Sequence, residues 1–204
     1  MKKINIISLL SILLFLVSCG SNVCEETIKK LSLTEKGFCD ICIGETVETV
    51  ANKIGDVDPA NYRGTFIDNN AILSEFREFN GVMAEISANY SDNTLTIERN
   101  GNVYWLNGSG VSTLLLTIPC FQEGLLGRRI YLYDAICKYY RKKYSPVVEE
   151  QDRVSTFFKI KASQKSYLPP YCVVIVENKD NDMVQIFISN IEDIYSEWKM
   201  GMLM

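Results

Sequence analysis

Cys39-Asp40-Ile41-Cys42 is the one stretch of this chain whose residue types and spacing match a known chemistry. In thiol oxidoreductases, two cysteines at this spacing open a helix whose N-terminus lowers the first thiol's pKa and supplies thiolate at neutral pH. Here the helical pattern starts near Gly44, after the second cysteine, and the Asp40 carboxylate opposes thiolate formation by like-charge repulsion. No tryptophan or proline flanks the pair as in the thioredoxin pattern. A structural disulfide through one or both cysteines fits these features better than a redox pair or inert thiols. A zinc site of four cysteines would need a second close pair, and Cys120, Cys137 and Cys172 are far apart in sequence.

Other chemistry is narrowed by composition. The chain contains no histidine, which removes Ser-His-Asp and Cys-His nucleophiles, histidine bases and histidine-bearing metal sites. Asn178, Asp180 and Asp182 alternate like the start of a calcium loop, but Met183 and Ser189 stand where that loop needs a glycine and an acid. A hairpin turn accounts for them better. Of the acidic pairs, Glu149-Glu150 follows Pro146 in an expected loop, and Glu192-Asp193 opens the last helix, where negative charge offsets the dipole. Lys138, Arg141, Lys142 and Lys143 crowd a helix end, where cations also suit the dipole; the functional alternative is a docking patch for anionic headgroups or an acidic partner. No catalytic residues, cofactor or metal ligands emerge. The net charge of −4 argues against a nucleic-acid partner, because no basic excess exists to displace phosphate counterions.

The elements that must position these residues begin with an export signal. Lys2 and Lys3 precede an apolar run from Ile4 to Val17, which is too short to span a bilayer comfortably. The run closes at Leu16-Val17-Ser18-Cys19, which resembles the lipobox of bacterial lipoproteins. That resemblance implies diacylglyceryl transfer to the Cys19 sulfur, cleavage before it, and anchorage to the membrane through the N-terminal lipid. The next residues, Gly20-Ser21-Asn22, place no aspartate after the cysteine, and by likeness to enteric lipoproteins this implies the outer membrane of a Gram-negative bacterium. Six cysteines then remain in an oxidising compartment: Cys24, Cys39, Cys42, Cys120, Cys137 and Cys172 are candidates for disulfides whose pairing the sequence leaves open. For the last three, apolar neighbours make buried thiols an equal reading.

Four regions are expected: a signal peptide at 1–18, a lipidated tether at 19–37, a helix-helix-sheet unit at 38–120, and a helix-sheet-helix unit at 121–204 that could form one domain with the preceding unit. The tether includes a stretch from Glu25 to Leu31 that could form a helical turn or two. In the first unit, Gly44 to Gly55 reads as a helix, with Val47, Val50, Ala51 and Ile54 on one face. A second helix is expected from Asn70 to Phe79. From Val82 the period changes to two, predicting strands over Val82–Tyr90, Thr94–Arg99, Val103–Asn107 and Val111–Ile118 in an antiparallel meander. The second unit reads as a helix from Arg128 to Tyr144 with Leu132, Ala135, Ile136, Tyr139 and Tyr140 towards the core, strands over Arg153–Ala162, Tyr171–Glu177 and Met183–Ser189, and an amphipathic helix from Ile191 to Met200 bearing Ile194, Tyr195 and Trp198. The fold class expected is α+β, with short helices packed on antiparallel meanders and two similar halves.

Ile43-Gly44-Glu45-Thr46, Val50 and Ile54-Gly55, followed by a second helix and a meander, are similar to small lipoproteins of the SmpA/OmlA type and to the β-lactamase-inhibitor-protein fold over residues 38–107. Asp56-Val57-Asp58 departs from the pattern by delaying the proline to Pro59. The resemblance implies two helices on an antiparallel sheet and a role in binding proteins. The expected function is therefore that of a non-enzymatic binding or assembly component of the cell envelope, its partner another envelope protein. The alternatives are an inhibitor or immunity lipoprotein that captures a toxin or hydrolase in an acidic groove, and a thiol-disulfide enzyme using Cys39 and Cys42.

Overall fold

Strand pairing organises the structure, a computed structural model that describes residues 23–54, 71–73, 76–91, 95–99, 102–106, 110–124, 127–160, 171–189 and 198–200. Its centre is an eight-stranded antiparallel sheet, so the protein is broadly α+β. In spatial order the sheet runs β11 (Val148–Gln151), β12 (Ser155–Ile160), β13 (Tyr171–Asn178), β14 (Met183–Ser189), β8 (Gly110–Pro119) and β5 (Val82–Ser91). The far edge of β5 is shared by β3 (Ala71–Leu73) and β4 (Arg77–Phe79). Three two-stranded ladders stand outside it: β1 (Gly37–Phe38) with β2 (Ile41–Cys42), β6 (Leu95–Arg99) with β7 (Asn102–Leu106), and β9 (Phe121–Glu123) with β10 (Arg129–Tyr131). The helices are α1 (residues 23–30), α2 (Val47–Ile54) and α3 (Tyr133–Tyr144).

The sheet buries both faces where the sequence is apolar without alternation. Tyr171 to Val176 are all buried, as a central strand covered on two sides requires. One face, carrying Ile86, Leu116, Ile186, Val173 and Phe158, packs against the helices in the main core. The opposite face carries Phe157, Cys172, Val174, Val176 and Phe187 under Trp198. Because β8 pairs with β14, strands of the two expected units belong to one sheet.

Several expectations change once pairing is known. The helix expected from Asn70 to Phe79 is replaced, in its described part, by β3 and β4. Ile72, Leu73, Phe76 and Phe79 satisfy a helical period, but the long edge of β5 offers backbone partners that outweigh it. So only the first of the two helices implied by the SmpA/OmlA likeness is found among the described residues. The four strands from Val82 are present, yet they do not form a simple meander. β5 and β8, ten residues each, pair directly, and the five-residue β6 and β7 pair with each other. Arg129 to Tyr131 are strand β10, and α3 begins only at Tyr133. Glu149 and Glu150, expected in a loop, lie on edge strand β11. Of the closing helix, Trp198 and Lys199 are helical and Trp198 is buried, while Ile194 and Tyr195 lie outside the described residues. The stretch expected as a tether contributes Cys24, Ile28, Leu31 and Leu33 to the main core, so the described fold already includes residue 23.

Candidate docking groove

α1 forms because Cys24, Ile28 and Leu31 recur at four and three residues and bury one stripe, with Thr27 Oγ1 donating to the Val23 carbonyl at 2.9 Å. α3 follows the same logic: Leu132, Ile136 and Tyr140 are fully buried, and Ser145 ends the helix in the left-handed region, with φ 44°. Ala135 and Tyr139, expected on that face, are partly buried. The two helices run in the same direction. Cys24 Sγ lies 3.7 Å from the Tyr131 carbonyl at one end, and the Tyr139 hydroxyl donates to the Leu33 carbonyl at the other.

Between them lies an open groove of about 1020 Å³. Its walls include the apolar Ile28, Leu33, Ile130 and Ala135, and its rim carries Lys29, Lys138, Lys142 and Lys143 against Glu25 and Asp134. Three of the four residues of the expected docking patch therefore line one surface. Arg141 points elsewhere and pairs with Glu149 on β11; that hydrogen bond holds the Glu149 carboxyl below its ordinary pKa. Lys143 donates to the Tyr139 hydroxyl, and its ammonium sits 4.9 Å from the Tyr139 ring centroid and 5.1 Å from that of Tyr144. Tyr140 donates to the Thr34 carbonyl at 3.0 Å. Of these tyrosines Tyr139 lines the groove, Tyr140 lies buried beneath it, and burial together with Tyr139 and Glu35 raises the Tyr144 hydroxyl above its ordinary pKa. The sequence reading missed Lys29, Ile28, Leu33 and Tyr131. The spacing of Cys24, Ile28 and Leu31 was the available signal for the first helix.

Cys39 and Asp40 sit in a two-residue turn between β1 and β2, with φ of 49° and 61° and Phe38 paired to Ile41. Two left-handed residues in succession make a tight hairpin whose twist suits the strands. Gly37 enters it because a Cβ there would lie 1.9 Å from the Ile41 carbonyl oxygen. The helix after the pair starts at Val47, where Thr46 Oγ1 accepts the Thr49 backbone N–H at 3.2 Å, so neither cysteine gains from a helix N-terminus.

Burial and the neighbouring Asp40 raise the Cys39 thiol to about 11, and burial and Glu45 raise Cys42. Native Cys39 should accordingly react with iodoacetamide at pH 7 at least about tenfold more slowly than in the unfolded chain, as mass spectrometry of the alkylated peptide would record. The sign for stability follows. Below pH 9 the thiol is neutral in both states. As pH rises from 9 to about 11, the unfolded chain ionises first and stability is lost.

The six candidates for disulfides, Cys24, Cys39, Cys42, Cys120, Cys137 and Cys172, are all thiols in the structure, as the alternative reading of the last three allowed. Cys39 and Cys42 share the β1–β2 hairpin, and the fold disperses the other four. Cys24 contacts Tyr131 in the groove, Cys120 Sγ lies 3.8 Å from Asp182 Oδ1, Cys137 packs under α3 beside Tyr133 and Thr156, and Cys172 belongs to the opposite face of the sheet. Asn178 to Asp182 form the turn between β13 and β14, with the Asp180 N–H donating to Asn178 Oδ1 at 3.2 Å. Cys19 lies outside the described residues.

Compared with known proteins, the chain matches no family model, no curated protein and no solved structure. The functional reading therefore rests on the residues and the groove.

Proposed function

We propose that this chain is a lipoprotein of the bacterial cell envelope, anchored through Cys19 to the outer membrane, that works by binding another protein and not by catalysis. The observation that carries the reading is the groove between α1 and α3. Two helix faces wall it with apolar side chains and rim it with lysines, a form suited to an amphipathic polypeptide segment with acidic flanks. The lipobox residues Leu16-Val17-Ser18-Cys19 supply the anchor, and the residues from Gly44 to Gly55 that resemble SmpA/OmlA-type lipoproteins support the same class of role. The two similar halves expected from the sequence belong to this proposal as well, since each expected unit contributes helix and antiparallel strand to the common sheet. The inhibitor reading calls for an acidic groove, and this rim is basic. The thiol-enzyme reading calls for a stabilised thiolate, whereas Cys39 is held protonated.

Lys138 and Lys142 are exposed, so the double substitution Lys138→Glu/Lys142→Glu should leave the melting temperature nearly unchanged while weakening partner binding about tenfold or more through the reversed rim charge. Cross-linked capture from intact cells, with the native chain, this variant and Cys19→Ala side by side, tests it. A stoichiometric partner held by the native chain and lost from the rim variant supports the proposal. Equal recovery with the rim variant removes the groove from it, and recovery of no partner at all sinks it.

A further inference from the structure

The folded part begins far closer to the lipid site than a nineteen-residue tether would allow. Cys24 already packs in the core and is five residues from Cys19, so their Cα atoms can be no more than about 18 Å apart even in a fully extended chain. Its thiol contacts the carbonyl of Tyr131, at the root of the β9–β10 hairpin. Whatever holds Cys19 therefore holds this hairpin nearby.

The hairpin's composition is that of a surface resting at a bilayer interface. Tyr131 is 56% exposed, edge-on to Phe121 with ring centroids 6.4 Å apart. The Arg129 guanidinium lies 4.3 Å over the Phe121 ring, and Arg128 and Arg129 are both exposed. Amphipathic aromatics beside arginines are what headgroup depth favours, the ring meeting the acyl boundary and the guanidinium the phosphates. Glu123, paired across from Arg129, and Glu25 on α1 offset the arginine charge, so the contact depends on interfacial seating more than on net charge.

We propose that the β9–β10 hairpin, with Tyr131, Phe121, Arg128 and Arg129, seats in the phospholipid headgroup layer of the bilayer that carries the Cys19 lipid. The proposal rests on the lipoprotein reading. It fixes the orientation of the groove: the Cys24–Tyr131 end faces the membrane and the lysine end, with Lys138, Lys142 and Lys143, projects away from it.

The test uses the full lipidated chain, purified from membranes and reconstituted into vesicles of phosphatidylethanolamine and phosphatidylglycerol that contain phosphatidylcholine brominated near the headgroup end of its acyl chains. Tyr131→Trp and Val147→Trp are compared after subtracting the emission of the native chain. Both positions are exposed, and α3 with its flanking residues separates them by roughly 20 Å. Loss of emission at position 131 with retention at 147 is the expected result. Quenching at 131 no stronger than at 147, in protein that floats with the vesicles, overturns the hairpin contact and leaves the lipid anchor standing. A native chain that carries no lipid mass at Cys19 and does not float overturns the contact together with the reading it rests on.

Discussion

Tyr140→Ala is expected to destabilise the native state by about 3–5 kcal/mol, a large share of the stability of a domain of this size. Tyr140 is fully buried, stacks on Phe158 with ring centroids 6.1 Å apart, and reaches across to donate to the Thr34 carbonyl. Truncation opens a cavity under α3 and removes the only hydrogen bond described between that ring and the 33–35 segment. Tyr140→Phe separates the two effects, because it keeps the packing and strands the Thr34 carbonyl, at a cost of about 1–2 kcal/mol. Urea denaturation of the two variants should give midpoints in that order. Equal losses would mean that the hydrogen bond, not the ring, ties α3 to the Thr34 segment.

A loss of similar size, about 3–5 kcal/mol, is expected for Trp198→Ala. Trp198 is the described residue that covers the second face of the sheet. Its ring stacks on Phe157 at 5.4 Å between centroids, and its indole N–H donates to Ser155 Oγ at 2.8 Å. Without it, Phe157 loses the ring stacked on it, and the apolar cluster with Val174 and Phe187 loses a buried member. Calorimetry gives the melting temperature, and binding of a hydrophobic dye at room temperature reports the uncovered face. A variant that melts as the native chain does and binds no more dye would show that other residues cover this face.

The placement of these two residues illustrates what local pattern can carry. Leu132, Ile136 and Tyr140 were legible as a buried helix stripe, and Trp198 as an apolar position of a closing helix, because a repeat of three and four residues is written in the chain itself. The strands from Val82 to Pro119 and from Tyr171 to Ser189 were legible for the same reason, since a period of two and a short unbroken apolar run are both properties of neighbouring residues. The absence of histidine and the cluster of Lys138, Lys142 and Lys143 were equally plain in the sequence.

Pairing was not. Residues 71–79 carry a helical spacing, yet 71–73 and 77–79 form strands, because the free edge of β5 lies outside any local window. The cysteine pair promised a disulfide by count and compartment, but the tight turn at Cys39-Asp40 and the scatter of the other thiols over both faces of the sheet depend on the folded path. The groove belongs to this second class: its walls are separated by about a hundred residues, and each wall alone is an ordinary amphipathic helix. Periodicity, composition and the N-terminal signal pattern are properties of neighbouring residues, so the sequence by itself determined the element types and the expectation of an anchor. Sheet order, the seating of α1 in the core and the meeting of Lys29 with Lys138 and Lys142 are contacts between distant segments. Only the tertiary structure decided them, because their free energy arises when those segments exclude water together.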